Sequence, residues 1–310
     1  MKQNLKQMLH ELHKISDLKE LALKNSPKKL VLAAAGDEHS IDAVIEAYKM
    51  GVIEPVLVGR KEEILKLTED CKEINKFKIY DISEDKAIVR KAVELLVNGK
   101  ADILMKGNVT TATLLKGVLN KEYGIRHKSF LSHFALFEIP NYHKLLAITD
   151  VALNILPPLE HKVHIVENAV NFIRKIGIKL PKVAALSAIE MVNEKMPSTL
   201  DAALLSIMQR RGQIKNCLID GPLAFDNAIS LESKKQKKLG GDVAGNADIL
   251  LVPNVESGNI LYKSLVAFAD AKVAGIVLGA EFPIVLTSRA DSEETKLNSI
   301  LLAAASVNNS

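Results

Sequence analysis

Short apolar runs alternate with amphipathic stretches along almost the whole chain. A short apolar run bounded by turn residues indicates a buried strand, and apolar positions repeated once per helical turn indicate a helix. The predicted strands are 30–35, 55–58, 77–80, 103–105, 130–139, 145–149, 183–186, 217–219, 249–252, 273–278 and 284–286. The predicted helices cover the first 25 or so residues, 40–51, a stretch from 61, 83–99, a stretch after 111, 159–176, 199–211, 227–239, 259–269 and a stretch after 291. This alternation predicts a mostly parallel sheet with helices on both faces.

The alternation is interrupted near Phe130. Two predicted strands, 130–139 and 145–149, are separated only by Pro140, Asn141, Tyr142 and His143. Such a short polar connection predicts a hairpin, and we expect a second lobe to begin here.

Chemically active residues concentrate after the last predicted strand. The apolar run 284–286 is followed within a few positions by Ser288, Arg289 and Asp291. A helix with apolar positions at 297, 300, 301 and 304 comes next, and Asp291 or Ser292 is suited to cap it. Open α/β sheets bind ligands at the carboxyl ends of their strands, so the segment predicts an anion site. The alternative is purely structural, with the hydroxyl and carboxylate capping the helix and the arginine paired to a glutamate on its surface.

A second polar turn follows the predicted strand 103–105. It consists of Lys106, Gly107, Asn108, Val109, Thr110 and Thr111, and it leads into a helix. Gly107 permits a close backbone approach, Lys106 supplies a charge, and the threonines supply hydroxyl groups or a cap. The lysine precedes the glycine, so the turn is not a Walker loop. We expect contact with phosphate or acyl phosphate, and the alternative is a plain βα turn with a threonine cap.

Composition narrows the class of protein. Hydrophobic residues make up 48% and charged residues 25% of the chain, which is typical of a globular protein with a large core. The formal charge of +4 is too small to predict nucleic-acid binding but is compatible with a polyanionic small molecule. Cys71 and Cys217, without companion ligands, predict neither a disulfide framework nor a zinc site. Without a signal-peptide core or a membrane-length apolar run, we expect a cytoplasmic protein.

Several separated blocks resemble one known family. These blocks are 196–203, 220–228, 243–254, 257–260 and 286–292. In this order they resemble the phosphate acetyl/butyryl transferases, and the butyryl branch in particular. The resemblance is dense from about Asp102 to the end of the chain and rests mainly on the βα alternation before it.

The resemblance implies a particular fold. It predicts two α/β/α lobes with mostly parallel sheets and an active site in the cleft between them, similar to the isocitrate and isopropylmalate dehydrogenases. Carried onto this chain, residues 1–128 plus 284–310 form the first lobe, and residues 129–283 form the second. The Ser288 segment would then lie where the chain has returned to the first lobe, facing the cleft.

The resemblance also implies roles for the residues of this segment. Arg289 would bind phosphate and stabilise charge, and Ser288 would donate a hydrogen bond in the transition state. We expect Asp291 to be the base. The position of the catalytic acid in the acetyl branch falls near Thr295 here, which is not a carboxylate, and Glu294 is the other candidate.

Two further positions are suggested by the resemblance and one by its place in the chain. Asn259 would be a substrate-positioning amide, and Lys263 would supply charge for the coenzyme phosphates. A solvated helix face is the alternative for Lys263. Gly279, at the end of the predicted strand 273–278, would offer a backbone donor unless it only forms a turn.

The activity implied by the resemblance is acyl transfer between coenzyme A and phosphate, by direct attack in a ternary complex. We expect butyryl or branched acyl groups, with acetyl left open, and no covalent enzyme intermediate, metal or bound cofactor. Acyl-CoA and phosphate would be the small-molecule partners, without nucleic acid or membrane, in a homodimer or higher homo-oligomer. The alternatives are a metal- and NAD-dependent decarboxylating dehydrogenase on the same fold, whose Asp and Arg clusters are not found, and a non-catalytic acyl-CoA-binding protein.

Overall fold

The computed structural model describes residues 12–124, 130–288 and 291–307. The strands within these residues are β1 (Lys28–Ala33), β2 (Ile53–Gly59), β3 (Lys78–Asp81), β4 (Ile103–Lys106), β5 (Ser132–Glu138), β6 (Leu146–Thr149), β7 (Lys182–Leu186), β8 (Leu218–Leu223), β9 (Ile249–Leu251), β10 (Lys272–Leu278) and β11 (Ile284–Val285). The α-helices are α1 (Asp17–Leu23), α2 (Glu38–Lys49), α3 (Lys61–Leu67), α4 (Asp85–Val97), α5 (Thr111–Val118), α6 (Leu159–Lys175), α7 (Pro197–Arg210), α8 (Phe225–Ile229), α9 (Leu231–Gln236), α10 (Val255–Phe268) and α11 (Glu293–Ser306).

The chain divides into two compact units. The first unit consists of Leu18–Ala135 with Lys272–Ser310, and the second consists of Met1–Asp17 with Leu136–Ala271. The chain enters the second unit within β5 and returns to the first just before β10. The boundary within β5 falls later than residue 128, the return falls earlier than residue 284, and the segment Met1–Asp17 groups with the second unit and not with the first. The expected division into two lobes, and the cleft, stay predictions.

Strand β5 contains the boundary between the units, and the described residues of the first unit hold six further strands in the order β3-β2-β1-β4-β11-β10. All neighbours in this set are parallel except β10 and β11, which are antiparallel. Residues Leu30, Val31, Leu32 and Ala33 of β1 have no exposed surface, because helices cover both faces of the sheet. Helix α11 packs on α2 and β10, and α4 packs on β1 and α5.

The second unit contains four strands in the order β6-β9-β7-β8, all parallel to their neighbours. Helix α7 packs on β7 and β8, whereas α6 and α10 pack on β6. The prediction of an α/β fold with a mostly parallel sheet is therefore confirmed. No helix of the described residues is long and apolar enough to cross a membrane.

Two helix predictions need correction. The predicted helix 227–239 is two short helices, α8 and α9, because Ser230 has an extended backbone that ends α8 and its hydroxyl caps α9 at Ser233 N–H (3.2 Å). Helix α4 begins at Asp85 and not at residue 83, and its N-cap residue, Glu84, makes no side-chain hydrogen bond. At the amino terminus α1 is shorter than predicted, and residues 1–11 lie outside the described residues.

Candidate active site

The two polar turns predicted from the sequence lie side by side in the first unit. Strand β4 is parallel to β11, with Met105 opposite Val285, and parallel to β1, with Lys106 opposite Ala33. Their carboxyl ends therefore share one edge of the sheet, where the segments 107–111 and 286–288 follow. This is the edge at which ligands of open α/β sheets bind.

The turn after β4 is pressed against the end of β1. A Cβ atom on Gly107 would lie 2.2 Å from the carbonyl oxygen of Ala34 and 2.9 Å from that of Ala33, so only glycine fits. The N–H groups of Gly107 and Asn108 donate to the carbonyl groups of Ala33 (2.8 Å) and Ala34 (2.7 Å). The close approach expected at Gly107 is thus an approach to β1, and these two N–H groups serve the fold.

The side chains of the same turn have different environments. Lys106 is 5% exposed, and its Nζ donates to the carbonyl groups of Gly107 (3.2 Å) and Val109 (3.4 Å). Thr110 is the N-cap of α5, since its Oγ1 accepts from Thr113 N–H (3.1 Å), and Thr111 is the first residue of that helix. Thr110 therefore provides the threonine cap, and its role in substrate binding stays a prediction. The exposed side chain of Asn108 and the partly exposed side chain of Thr111 stay candidates for ligand contact.

A short loop closed by Asp291 follows β11. Asp291 Oδ2 accepts from Ser288 N–H (2.6 Å), and Asp291 N–H donates to the Ser288 carbonyl (3.2 Å). Helix α11 is capped by Ser292, whose Oγ accepts from Thr295 N–H (3.2 Å). The cap is thus Ser292, and the Asp291 carboxylate holds the loop in shape. Ser288 is exposed, and Arg289 lies outside the described residues.

A buried lysine that the sequence pattern did not single out lies under this loop. Lys296 is 2% exposed, and its Nζ donates to the Ser288 carbonyl (2.9 Å). Helix α11 is buried around most of its circumference, not along one apolar stripe, so a lysine next to the predicted stripe is also interior. The second candidate base, Glu294, is exposed and its Oε1 lies 3.3 Å from Nζ of Lys272.

Gly279 lies away from Ser288, at the opposite end of β11. It follows β10, which is antiparallel to β11 with Val277 opposite Ile284. Gly279 therefore lies where β11 begins, whereas Ser288 lies beyond the end of β11. Its φ of 94° is a turn conformation that favours glycine. The structure supports the turn interpretation of Gly279.

The remaining predicted positions are in the second unit. Asn254 caps α10 by accepting from Ser257 N–H (2.9 Å). Asn259 is exposed, and its Nδ2 donates to the Val151 carbonyl (3.4 Å), which ties α10 to the segment after β6. Lys263 is exposed one turn further along the helix. Both interpretations of Lys263, a coenzyme contact and a solvated helix face, therefore stay predictions.

One buried carboxylate in the second unit was missed. Asp150 follows β6 and is 2% exposed, and its Oδ1 accepts from the N–H groups of Ala152 (2.8 Å) and Leu153 (2.9 Å). A Cβ atom on Gly258 would lie 2.8 Å from the Asp150 carbonyl oxygen, so α10 starts directly against this segment. An acidic residue directly after an apolar strand was the available signal.

Comparison with known proteins defines the class of this α/β fold. A family model described as "Phosphate acetyl/butaryl transferase" matches residues 85–304. A crystal structure of a branched-chain phosphotransacylase from Enterococcus faecalis V583 superposes with a TM-score of 0.80 at 36% identity, covering 90% of this chain and 98% of that one. The chain belongs to the phosphate acetyl/butyryl transferase family, as the sequence blocks predicted.

Individual relatives carry two acyl names. The chain is 50% identical over 278 residues to a phosphate butyryltransferase from Clostridium acetobutylicum, covering 89% of this chain and 92% of that protein. It is 47% identical over 278 residues to a phosphate acetyltransferase from Thermotoga maritima, covering 89% and 94%.

Proposed function

We propose that this protein transfers a short-chain acyl group between coenzyme A and inorganic phosphate. Family membership supports the proposal, together with relatives named as butyryl, acetyl and branched-chain transferases. The observation that carries it to specific residues is the shared sheet edge of β4 and β11, where the Lys106 turn and the Ser288 loop are neighbours. No observation favours the dehydrogenase or the non-catalytic binding protein over this reaction.

The proposed reaction is a direct displacement. In one direction a phosphate oxygen attacks the thioester carbonyl carbon, the C–S bond breaks, and the coenzyme A thiolate leaves and takes up a proton. In the other direction the thiol loses its proton, the sulfur attacks the acyl phosphate carbonyl carbon, and phosphate leaves. Both directions need a phosphate site and donors for the tetrahedral oxyanion, and the group that takes the thiol proton in one direction returns it to the thiolate in the other.

We assign these tasks to the Ser288 loop. Ser288 would donate to the oxyanion, and Arg289 would bind phosphate through its planar guanidinium group. Asp291 would be the base. Its Oδ2 accepts from Ser288 N–H, whereas its Oδ1 has no hydrogen-bond donor within the described segments of the chain. Asn108 and Thr111 on the neighbouring turn, and Asn259 and Lys263 in the second unit, stay proposed substrate contacts.

The thiol of Cys217 is a poor candidate for forming a covalent acyl-enzyme intermediate. Cys217 is 2% exposed, and burial raises the pKa of its thiol to about 11. It is therefore a protonated, inaccessible group at neutral pH, and only a thiolate attacks a thioester efficiently. This supports direct attack over a covalent route through Cys217.

The finer expectations belong to the same proposal. We expect a homo-oligomer without a bound cofactor, acting in the cytoplasm. Butyryl and branched acyl groups should be preferred to acetyl, because each additional buried methylene contributes about 0.8 kcal/mol.

The test is a steady-state assay with acetyl-, propionyl-, butyryl- and isobutyryl-CoA in the presence and absence of phosphate. We expect thiol and acyl phosphate to form in equal amounts, only with phosphate, and kcat/KM to be higher for butyryl- than for acetyl-CoA. Thiol release without acyl phosphate would identify a hydrolase and refute the proposal. A higher kcat/KM for acetyl-CoA would refute only the acyl preference.

A further inference from the structure

Lys296 is a buried cation of the first unit next to Ser288. It is 2% exposed and lies in the first turns of α11. Its Nζ donates to the carbonyl oxygen of Ser288 (2.9 Å). Considering the described residues alone, no carboxylate lies within ion-pair distance of this ammonium group. The nearby Glu294 is paired with Lys272 on the surface instead.

A buried charge without a counter-ion is unfavourable for folding. The buried residues one helical turn after Lys296 on α11 are Ser299 and Ile300, and a methionine would fill the same elongated space without the cost of desolvating a charge. A residue needed only for packing would therefore be better served by an apolar side chain. The ammonium group must be explained by what it does for the loop or for a ligand.

The hydrogen bond of Lys296 has a direct consequence for the loop. It holds the Ser288 carbonyl oxygen, which is an acceptor with partial negative charge, at a partly buried position. Because this oxygen is engaged by the ammonium group, it should repel an anionic substrate next to Ser288 less. The positive charge of Lys296 lies beneath Ser288, within the protein. The carboxylate of Asp291 fixes the loop from its other end through Ser288 N–H.

We propose that Lys296 is a positioning residue for acyl transfer to phosphate, holding the Ser288 carbonyl and supplying the fixed positive charge behind the phosphate site. This inference rests on the proposed function. Lys296 acts through Ser288 and through its charge, and it does not touch the reacting atoms. The anionic substrate supplies the counter-charge that the described residues do not.

The experiment compares Lys296→Met and Lys296→Arg with wild type. We expect the Met variant to fold with a melting temperature at or above that of wild type, because an apolar side chain replaces a buried unpaired charge. Its kcat/KM for phosphate should fall about 10²-fold or more, as for removal of an oxyanion donor. The Arg variant keeps the charge but changes the geometry, so its KM for phosphate should rise less than that of the Met variant.

Lys272→Met is the matched control. It removes one positive charge from the same sheet edge, but Lys272 is exposed, and its ion pair within the described part of the chain is with the exposed Glu294. We expect its KM for phosphate to stay within about twofold of wild type, because exposed charges are screened by solvent and salt. A Lys272→Met loss equal to that of Lys296→Met would attribute the effect to general electrostatics and overturn the proposal.

Two other outcomes overturn it. Wild-type kinetics in Lys296→Met would show that the charge is not used. A lower melting temperature, with an activity loss equal to the unfolded fraction and an unchanged KM for phosphate, would show a structural role. If Lys296→Met does not fold, Lys296→Arg tests the proposal in its place. A KM for phosphate of the Arg variant that differs from the wild-type value by more than about tenfold would contradict the role of the charge.

A separate measurement distinguishes failure of this inference from failure of the proposed function. If wild type releases no thiol from any acyl-CoA, the proposed function is wrong. Binding of inorganic phosphate alone, measured by calorimetry, still tests Lys296. Tight binding to wild type and weak binding to Lys296→Met would support the phosphate site, and equal binding would overturn it.

Discussion

Asp291 combines two tasks that substitution can separate. Its carboxylate closes the Ser288 loop by accepting from Ser288 N–H, and we propose that it also takes the proton of the coenzyme A thiol. The oxygen of an asparagine can accept the same N–H, so Asp291→Asn should keep the loop. Without the base, the rate in the thiol-attack direction should fall about 10²–10⁴-fold at neutral pH.

The pH dependence of Asp291→Asn identifies the origin of the loss. A free thiol has a pKa of about 8.5, so solvent ionises more of it as the pH rises. The rate deficit relative to wild type should therefore shrink from pH 7 towards pH 9 in a stopped-flow or coupled assay. Near-normal rates at every pH would leave Asp291 with the loop-closing role alone. A large deficit that does not change with pH would remove Asp291 as the base.

At the residue scale, the sequence allowed us to predict which segments lie at the proposed site. It was less informative about the role of each side chain. Ser288 and Asp291 are at a sheet edge as expected, but either Asp291 or Ser292 could cap α11, and only the backbone geometry assigns the cap to Ser292. Lys296 could not be predicted, because a lysine in a helix is normally solvated. Its burial depends on α11 being covered by β10 and α2, which is a tertiary effect.

At the scale of elements, Gly107 determines how closely the turn after β4 packs on β1. The turn after β4 approaches β1 so closely that a methyl group would lie 2.2 Å from the Ala34 carbonyl oxygen. Gly107→Ala should therefore shift the turn or strain it, with a loss of stability of about 2 kcal/mol or more. Chemical denaturation would measure this loss, and activity should fall with it because Lys106 and Asn108 flank the glycine.

Gly240→Ala is the control for this substitution. At Gly240 no atom lies within 4 Å of the position that an added methyl group would take, so the change should be nearly neutral. Equal stability of Gly107→Ala and wild type would mean that the turn is not closely packed against β1.

Elements with a strong periodic pattern were predicted well, and those decided by one local residue were not. The strands are found near their predicted positions because each is a short apolar run with turn residues at its ends. The split of 227–239 into α8 and α9 depends on the backbone of Ser230, which a helical pattern running through the segment hides. For α11, the predicted stripe positions 300, 301 and 304 are buried and Leu297 is partly exposed, while small and polar residues on the other faces are buried as well.

At the scale of the whole molecule, helix α10 carries large exposed apolar side chains. Ile260 is 66% and Phe268 is 90% exposed on this helix. Large exposed apolar side chains commonly mark association surfaces. We expect a second copy of the chain to cover them. Light scattering after gel filtration should give a dimer or larger species for wild type and a smaller species for the double variant Ile260→Glu and Phe268→Glu.

Leu231→Glu is the matched control for the α10 variant. Leu231 is 56% exposed but belongs to α9, so the same change there should leave the assembly intact. A monomeric wild type, or an α10 variant with the mass of wild type, would contradict this assignment of the surface.

At the scale of the molecule, the mostly parallel sheet and the family were predictable, because both follow from patterns distributed over the whole chain. The boundaries of the compact units were less predictable from the sequence. The chain enters the second unit inside β5, and a boundary within a continuous apolar strand leaves no mark in the sequence.

The most direct test of the account compares wild type with Arg289→Lys in phosphate-dependent release of thiol from butyryl-CoA. Lysine keeps the charge but lacks the planar fork that binds phosphate at two points. We predict robust turnover by wild type and a loss of kcat/KM of about 10²–10³-fold in a variant that remains folded. Equal rates for the two proteins would contradict the assignment of the phosphate site to the Ser288 loop.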